Sequence, residues 1–139
     1  MIKEIIEKWE SNKSKLESYF ATNKQEEYSS SYEKILKKVF EIVINTESES
    51  YLNFAIDKMT IVDDGHYQGT QIFLIPKETY QPSASDYLVT DTSYGSCSGC
   101  DTLQCISGYS DDFPTPEQVK DYMMLSLHLI QKLKWLSEN

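Results

Sequence analysis

The sequence predicts an α+β fold: two N-terminal helices, a three-stranded antiparallel meander, a cysteine-containing turn and a long C-terminal helix packed on the sheet. Three observations predict it. Apolar residues recur at three-and-four spacing in the first 43 residues and again beyond Thr115, the period of an amphipathic helix. Between them lie short runs rich in β-branched and aromatic residues, broken by Asp-Gly and by proline. The 139 residues are 40% apolar and 25% charged, enough for one core and one domain.

The first helix runs from Met1 to about Phe20, with Ile2, Ile5, Ile6, Trp9, Leu16 and Phe20 on its apolar side. A polar stretch, Thr22 to Ser31, separates it from the second. Ser30 and Glu33 have the spacing of a capping box, in which each side chain satisfies a backbone N–H of the helix start. Tyr32, Ile35, Leu36, Val39, Phe40 and Val43 follow as one face, and the turn-like NTESES, 45–50, closes this helical part, 1–50. In the remainder, 51–139, residues 53–63 and 67–76 read as two strands. Asp64-Gly65 between them is a type I′ hairpin signal, since glycine tolerates positive φ. TQIFLIP is nearly all apolar and belongs centrally in the sheet, ending at Pro76. DYLVTDT, 86–92, suits a third strand. Thr115 is an N-cap, Pro116 fits the first helical position and Gln118 completes a box. The helix they open carries Val119, Met123, Leu127, Ile130 and Leu133 on one face, widened by Met124, Leu125 and Leu129.

The net charge is −9, and residues 51–112 hold most of it, with 2 lysines against 9 acids. Such a field repels phosphate backbones, which argues against direct nucleic-acid binding and for a partner with a basic surface. All 13 cationic residues are lysine, so the bidentate guanidinium clamp for phosphate or carboxylate ligands is missing. No apolar run is long enough to span a bilayer, and the charged N-terminus has no hydrophobic signal core. The expected compartment is the cytoplasm, where thiols stay reduced.

The stretch YGSCSGCDTLQC, 94–105, contains all three cysteines. Three readings of it stand. Cys97 and Cys100 have the C-x-x-C spacing of a zinc site, with Cys105 as a third ligand and His66 or His128 as a fourth. The pair could instead exchange electrons, although Asp101 would raise a neighbouring thiol pKa. Or small cysteines simply pack in a glycine- and serine-rich turn. His66, beside Asp63 and Asp64, has the composition of an acid–histidine pair for general-base work, but a hairpin tip favours these residues for solvation alone. His128, between Leu127 and Leu129, reads as a packed or boundary histidine. There is no phosphate loop or nucleophile elbow, and the expectation is a protein that is not an enzyme.

Carboxylates and tyrosines share the acidic segment. Asp63, Asp64, Asp86, Tyr87, Asp91, Tyr94, Asp101, Asp111 and Asp112 make a candidate partner-binding face: the aromatic rings supply contact area and the charge speeds encounter with a basic partner.

The stretch IVDDGHYQGTQIFLIPKETYQPSASDYLVT, then YGSCSGCDTLQ and PTPEQVKDYMMLSLHLIQKLK, resembles a set of small uncharacterised proteins of bacteriophages and bacterial mobile elements. The shared marks are a hairpin with G-T-x-I-F-L-I, the loop Y-Q-P-S-x-S-D-Y and the motif Y-G-S-C-S-x-C-D-T-L-Q. The likeness covers roughly residues 53–134. It implies an accessory protein in the cytoplasm of a bacterial host, with Cys97 and Cys100 as the recurring pair and Cys105 outside it. It implies no catalytic activity. The functional expectation is a small acidic protein that blocks a host nucleic-acid-handling or defence protein by offering carboxylates where phosphates would bind. The alternatives are a zinc or thiol-redox module at the C-x-x-C pair and an enzyme using His66 with Asp63 or Asp64.

Overall fold

A computed structural model describes residues 2–25, 30–46, 53–65, 68–95, 102–107 and 113–138. Cys97, Cys100, His66, Asp101, Asp111 and Asp112 lie outside the described residues. The architecture is α+β, with helices on one side of a four-stranded antiparallel sheet in the order β1-β2-β3-β4.

Helix α1, Ile2–Thr22, buries Ile5, Trp9, Leu16 and Phe20 at the expected helical spacing. Helix α2, Ser30–Val39, buries Tyr32, Ile35, Leu36 and Val39, and Glu33 pairs with Lys37 at 3.0 Å. The apolar face then continues through a π-helical turn, Phe40–Ile44, where Phe40, Val43 and Ile44 are buried. A π turn widens the backbone spiral and redirects its carbonyls. Two polar residues of α1 meet them: Lys8 Nζ donates to Ile44 O at 2.9 Å, and the buried Asn12 Nδ2 donates to Val43 O at 3.3 Å.

The expected strand 53–63 is interrupted. Phe54 forms an isolated bridge with Lys77, a 3₁₀ turn follows at Ile56–Lys58, and β1 spans only Thr60–Asp63. The turn buries Ile56 while Asp57 and Lys58 stay in solvent, a pattern no straight strand could deliver. β2, Gly69–Pro76, pairs with β1 from Thr60↔Leu74 to Asp63↔Gln71, and with β3, Tyr87–Tyr94, from Gly69↔Tyr94 to Pro76↔Tyr87. Gln71, Phe73 and Ile75 of β2 and Leu88, Thr90, Thr92 and Tyr94 of β3 are buried on the helix-facing side, following the period of two. Thr90 Oγ1 reaches Leu129 O at 2.7 Å and ties sheet to helix.

Helix α4, Pro116–Gln131, starts as predicted. Thr115 accepts from Gln118 N, and Gln118 Oε1 accepts from Thr115 N at 2.9 Å. It packs on α1 and the sheet, burying Val119, Tyr122, Leu125, Ser126, Leu129 and Ile130. It does not extend to Leu133. The chain leaves the helix at Lys132, and Lys134–Trp135 forms β4 beside Leu88 and Val89 of β3. This adds a fourth strand to the expected three. KLKW, 132–135, alternates polar and apolar residues, and extended pairing lets Leu133 be buried while Trp135 packs on Phe54, ring centroids 6.0 Å apart. Among the described residues, no helix is long and apolar enough to cross a membrane.

Candidate functional site: the carboxylate end of the sheet

The β1–β2 connection places Asp63 and Asp64 together at one end of the sheet, both exposed. This is not a two-residue type I′ turn, because the last paired residues are Asp63 and Gln71. Carboxylates build the connection instead. Gly65 N donates to Asp63 Oδ1 at 3.0 Å, and Thr70 N donates to Asp64 Oδ1 at 2.6 Å. Glycine is needed at 65 and 69 for close approach and not for positive φ. A Cβ on Gly65 would lie 1.9 Å from Gln68 O, and one on Gly69 would lie 2.6 Å from Asp64 Oδ1.

Asp63 also links three strands. Tyr94 Oη, from the end of β3, donates to Asp63 Oδ1 at 2.5 Å, and Gln71 Nε2, from β2, donates to Asp63 Oδ2 at 3.1 Å. Loss of the Tyr94 proton would break its bond to the carboxylate and place two anions together. The hydrogen bond to Asp63 first, then desolvation and the charges of Asp63 and Asp64, push the phenol from 10.0 up to about 12. Tyr94 is therefore a neutral donor throughout the physiological range. Among the described residues, the buried Gln71 Oε1 has no hydrogen-bond donor. Gln71 was not anticipated as part of the site. The available signal was its phase: it shares the core-facing parity of Phe73 and Ile75, where a polar side chain requires a partner.

The structure does not gather the other described candidates with this pair. Asp86 is half-buried at the opposite end of the sheet, roughly 20 Å away along the strands. There it closes a capping box, accepting from Ser83 N at 2.9 Å ahead of the 3₁₀ turn Ala84–Asp86. Tyr87, half-buried, follows it and pairs with Pro76. Asp91 is exposed in mid-strand and lies 3.5 Å from Lys132 Nζ. The described acids of the expected face thus fall in three places, and only Asp63 and Asp64 among them stand together, with Tyr94 beside them. Asp101, Asp111 and Asp112 lie outside the described residues.

Of the candidate metal ligands, Cys97, Cys100 and His66 fall outside the described residues. Cys105 is an exposed free thiol on α3, Thr102–Ser107. Among the described residues, no group of three or more His, Cys, Asp or Glu side chains could hold a metal ion. His128 is exposed on the last turn of α4 and not packed. The buried stripe passes through residues 125, 126, 129 and 130, which turns position 128 to solvent.

Comparison with protein-family models, curated proteins and solved structures finds no match for this chain.

Proposed function

We propose that the protein acts by protein–protein interaction, engaging a basic surface on a host protein that handles nucleic acid or serves in defence. The observation that carries this reading is the Asp63–Asp64 pair, exposed at the end of the sheet within a segment of net charge −7. Fixed carboxylates make a better phosphate substitute than mobile ones, because the geometry does not have to be ordered on binding. Asp63 is held by Tyr94, Gln71 and Gly65, and Asp64 by Thr70, so the pair is preorganised. The resemblance to small phage and mobile-element proteins supports an accessory role of this kind. The same hydrogen bonds argue against the enzyme reading, since both carboxylates already serve the turn.

The test is affinity capture from bacterial lysate with a salt-step elution. The bound partner should leave as sodium chloride rises, and duplex DNA should compete for it. A partner retained unchanged at molar salt and indifferent to DNA contradicts the proposal.

A further inference from the structure

Among the described residues β1 is an edge strand, and its outer side is built for pairing. Asp64 N donates to Thr70 O at 3.3 Å, which fixes the phase of the ladder. Thr60 and Val62 therefore bond to β2, while the N–H and C=O of Ile61 point away from it. The strand, Thr-Ile-Val-Asp, is β-branched at three of four positions and contains neither the proline nor the lysine that commonly blocks an edge. On the outer side of the sheet, away from the helices, Val62 is 49% exposed and its pairing partner Ile72 is 39% exposed. Leu74 and Val89, both half-buried, continue this apolar row inward.

The charges around the edge are antisymmetric. Lys58 lies three residues before Ile61 and Asp64 three after it, and both are exposed. Among the described residues neither forms an ion pair.

We propose that two copies of this chain associate through antiparallel pairing of their β1 strands about a two-fold axis at Ile61. The two four-stranded sheets then form one continuous sheet. Ile61 N–H of each copy donates to Ile61 O of the other. Val62 of each copy lies beside Thr60 of the other, so the apolar outer row continues across the junction. Lys58, at the end of the 3₁₀ turn before β1, comes to the same end of the junction as Asp64 of the other copy, which makes the edge self-complementary in charge as well as in shape. A junction this short covers much less than the roughly 800 Å² per partner of a permanent interface, so the dimer is in reversible equilibrium with monomer. The assembly does not rest on the partner-binding reading, but it engages Asp64, so a basic partner and the second copy compete for that carboxylate.

Sedimentation of the full chain across roughly 10 μM to 1 mM, the range in which small interfaces associate, tests the proposal together with amide hydrogen exchange at Ile61. The weight-average mass should rise from the monomer value toward twice that value. Ile61 exchange should slow about tenfold over the same range, while Val62, already bonded to β2, changes little. Lys58→Asp should weaken association at least tenfold. Lys3→Asp, which makes the same change of net charge on the exposed side of α1, should not. A chain that stays monomeric throughout overturns the proposal. So does a dimer whose Ile61 amide exchanges as fast as the monomer's, or equal weakening by the two substitutions.

Discussion

Tyr94 Oη donates to Asp63 Oδ1 across the whole width of β2, joining the end of β3 to the edge strand β1 at 2.5 Å. The contact does two things at once. It ties down the carboxylate end of a four-residue strand that has one neighbour among the described residues, and it sets the orientation of a charge offered to solvent.

Tyr94→Phe should therefore lower the melting temperature at neutral pH and loosen the β1–β2 connection. The effect has a defined pH dependence. The folded-state phenol pKa lies near 12, above its ordinary 10.0, so the native state holds the proton more tightly than the unfolded chain. The stabilisation is complete below pH 10 and is lost as pH rises through 12. The difference in melting temperature between parent and Tyr94→Phe should be constant from pH 7 to near 10 and shrink steadily above it. A difference independent of pH across that window would show that the hydrogen bond contributes nothing to folding.

The helical spacing in α1, α2 and α4, and the capping box at Thr115–Gln118, could be read from sequence because each is a local pattern with one physical cause. The failures were tertiary. Phe40–Ile44 keeps helical spacing, and the donors that meet the π-turn carbonyls, Lys8 and Asn12, come from a helix more than 30 residues away in sequence. β4 is two residues long and exists because β3 offers an unpaired side and Phe54 a surface for Trp135. Asp64-Gly65 lies in the connection between β1 and β2, as expected, but not as a type I′ turn, and its glycine answers crowding from Gln68, which cannot be seen in the dipeptide. Within the candidate site, Asp63 and Asp64 were named from sequence. Their separation from Asp86 and Asp91 follows from strand register, which charge counting does not contain.

Asn12 is buried in α1 and donates to the Val43 carbonyl of the π turn. Asn12→Ala removes that donor and should cost about 1–2 kcal/mol. Chemical denaturation with an unchanged slope and a lower midpoint is the expected result. An unchanged midpoint would mean that solvent replaces the amide without loss.

Gly65→Ala forces a methyl group into the space occupied by the Gln68 carbonyl. A cost of about 1–3 kcal/mol is expected, because backbone must move to relieve it. Amide exchange should report the loss at β1 and leave α4 protected. If α4 loses protection to the same degree, the connection and the helix layer unfold as one unit.

Cys105 is exposed on α3. Cys105→Ser should change stability by less than about 0.5 kcal/mol, as surface substitutions do. A large drop in melting temperature would assign that sulfur a role in folding or in ligand binding.

The most direct test of the central claim is competition on a partner captured from host lysate. The fraction of that partner bound to labelled duplex DNA is measured as this protein is added, at rising sodium chloride. The account predicts displacement at low salt that weakens as salt rises, and weaker displacement by a variant carrying Asp63→Asn and Asp64→Asn, which lacks two charges but keeps an acceptor oxygen at each position. Displacement equally strong with that variant, or a ternary complex in which protein and DNA bind together, would contradict it.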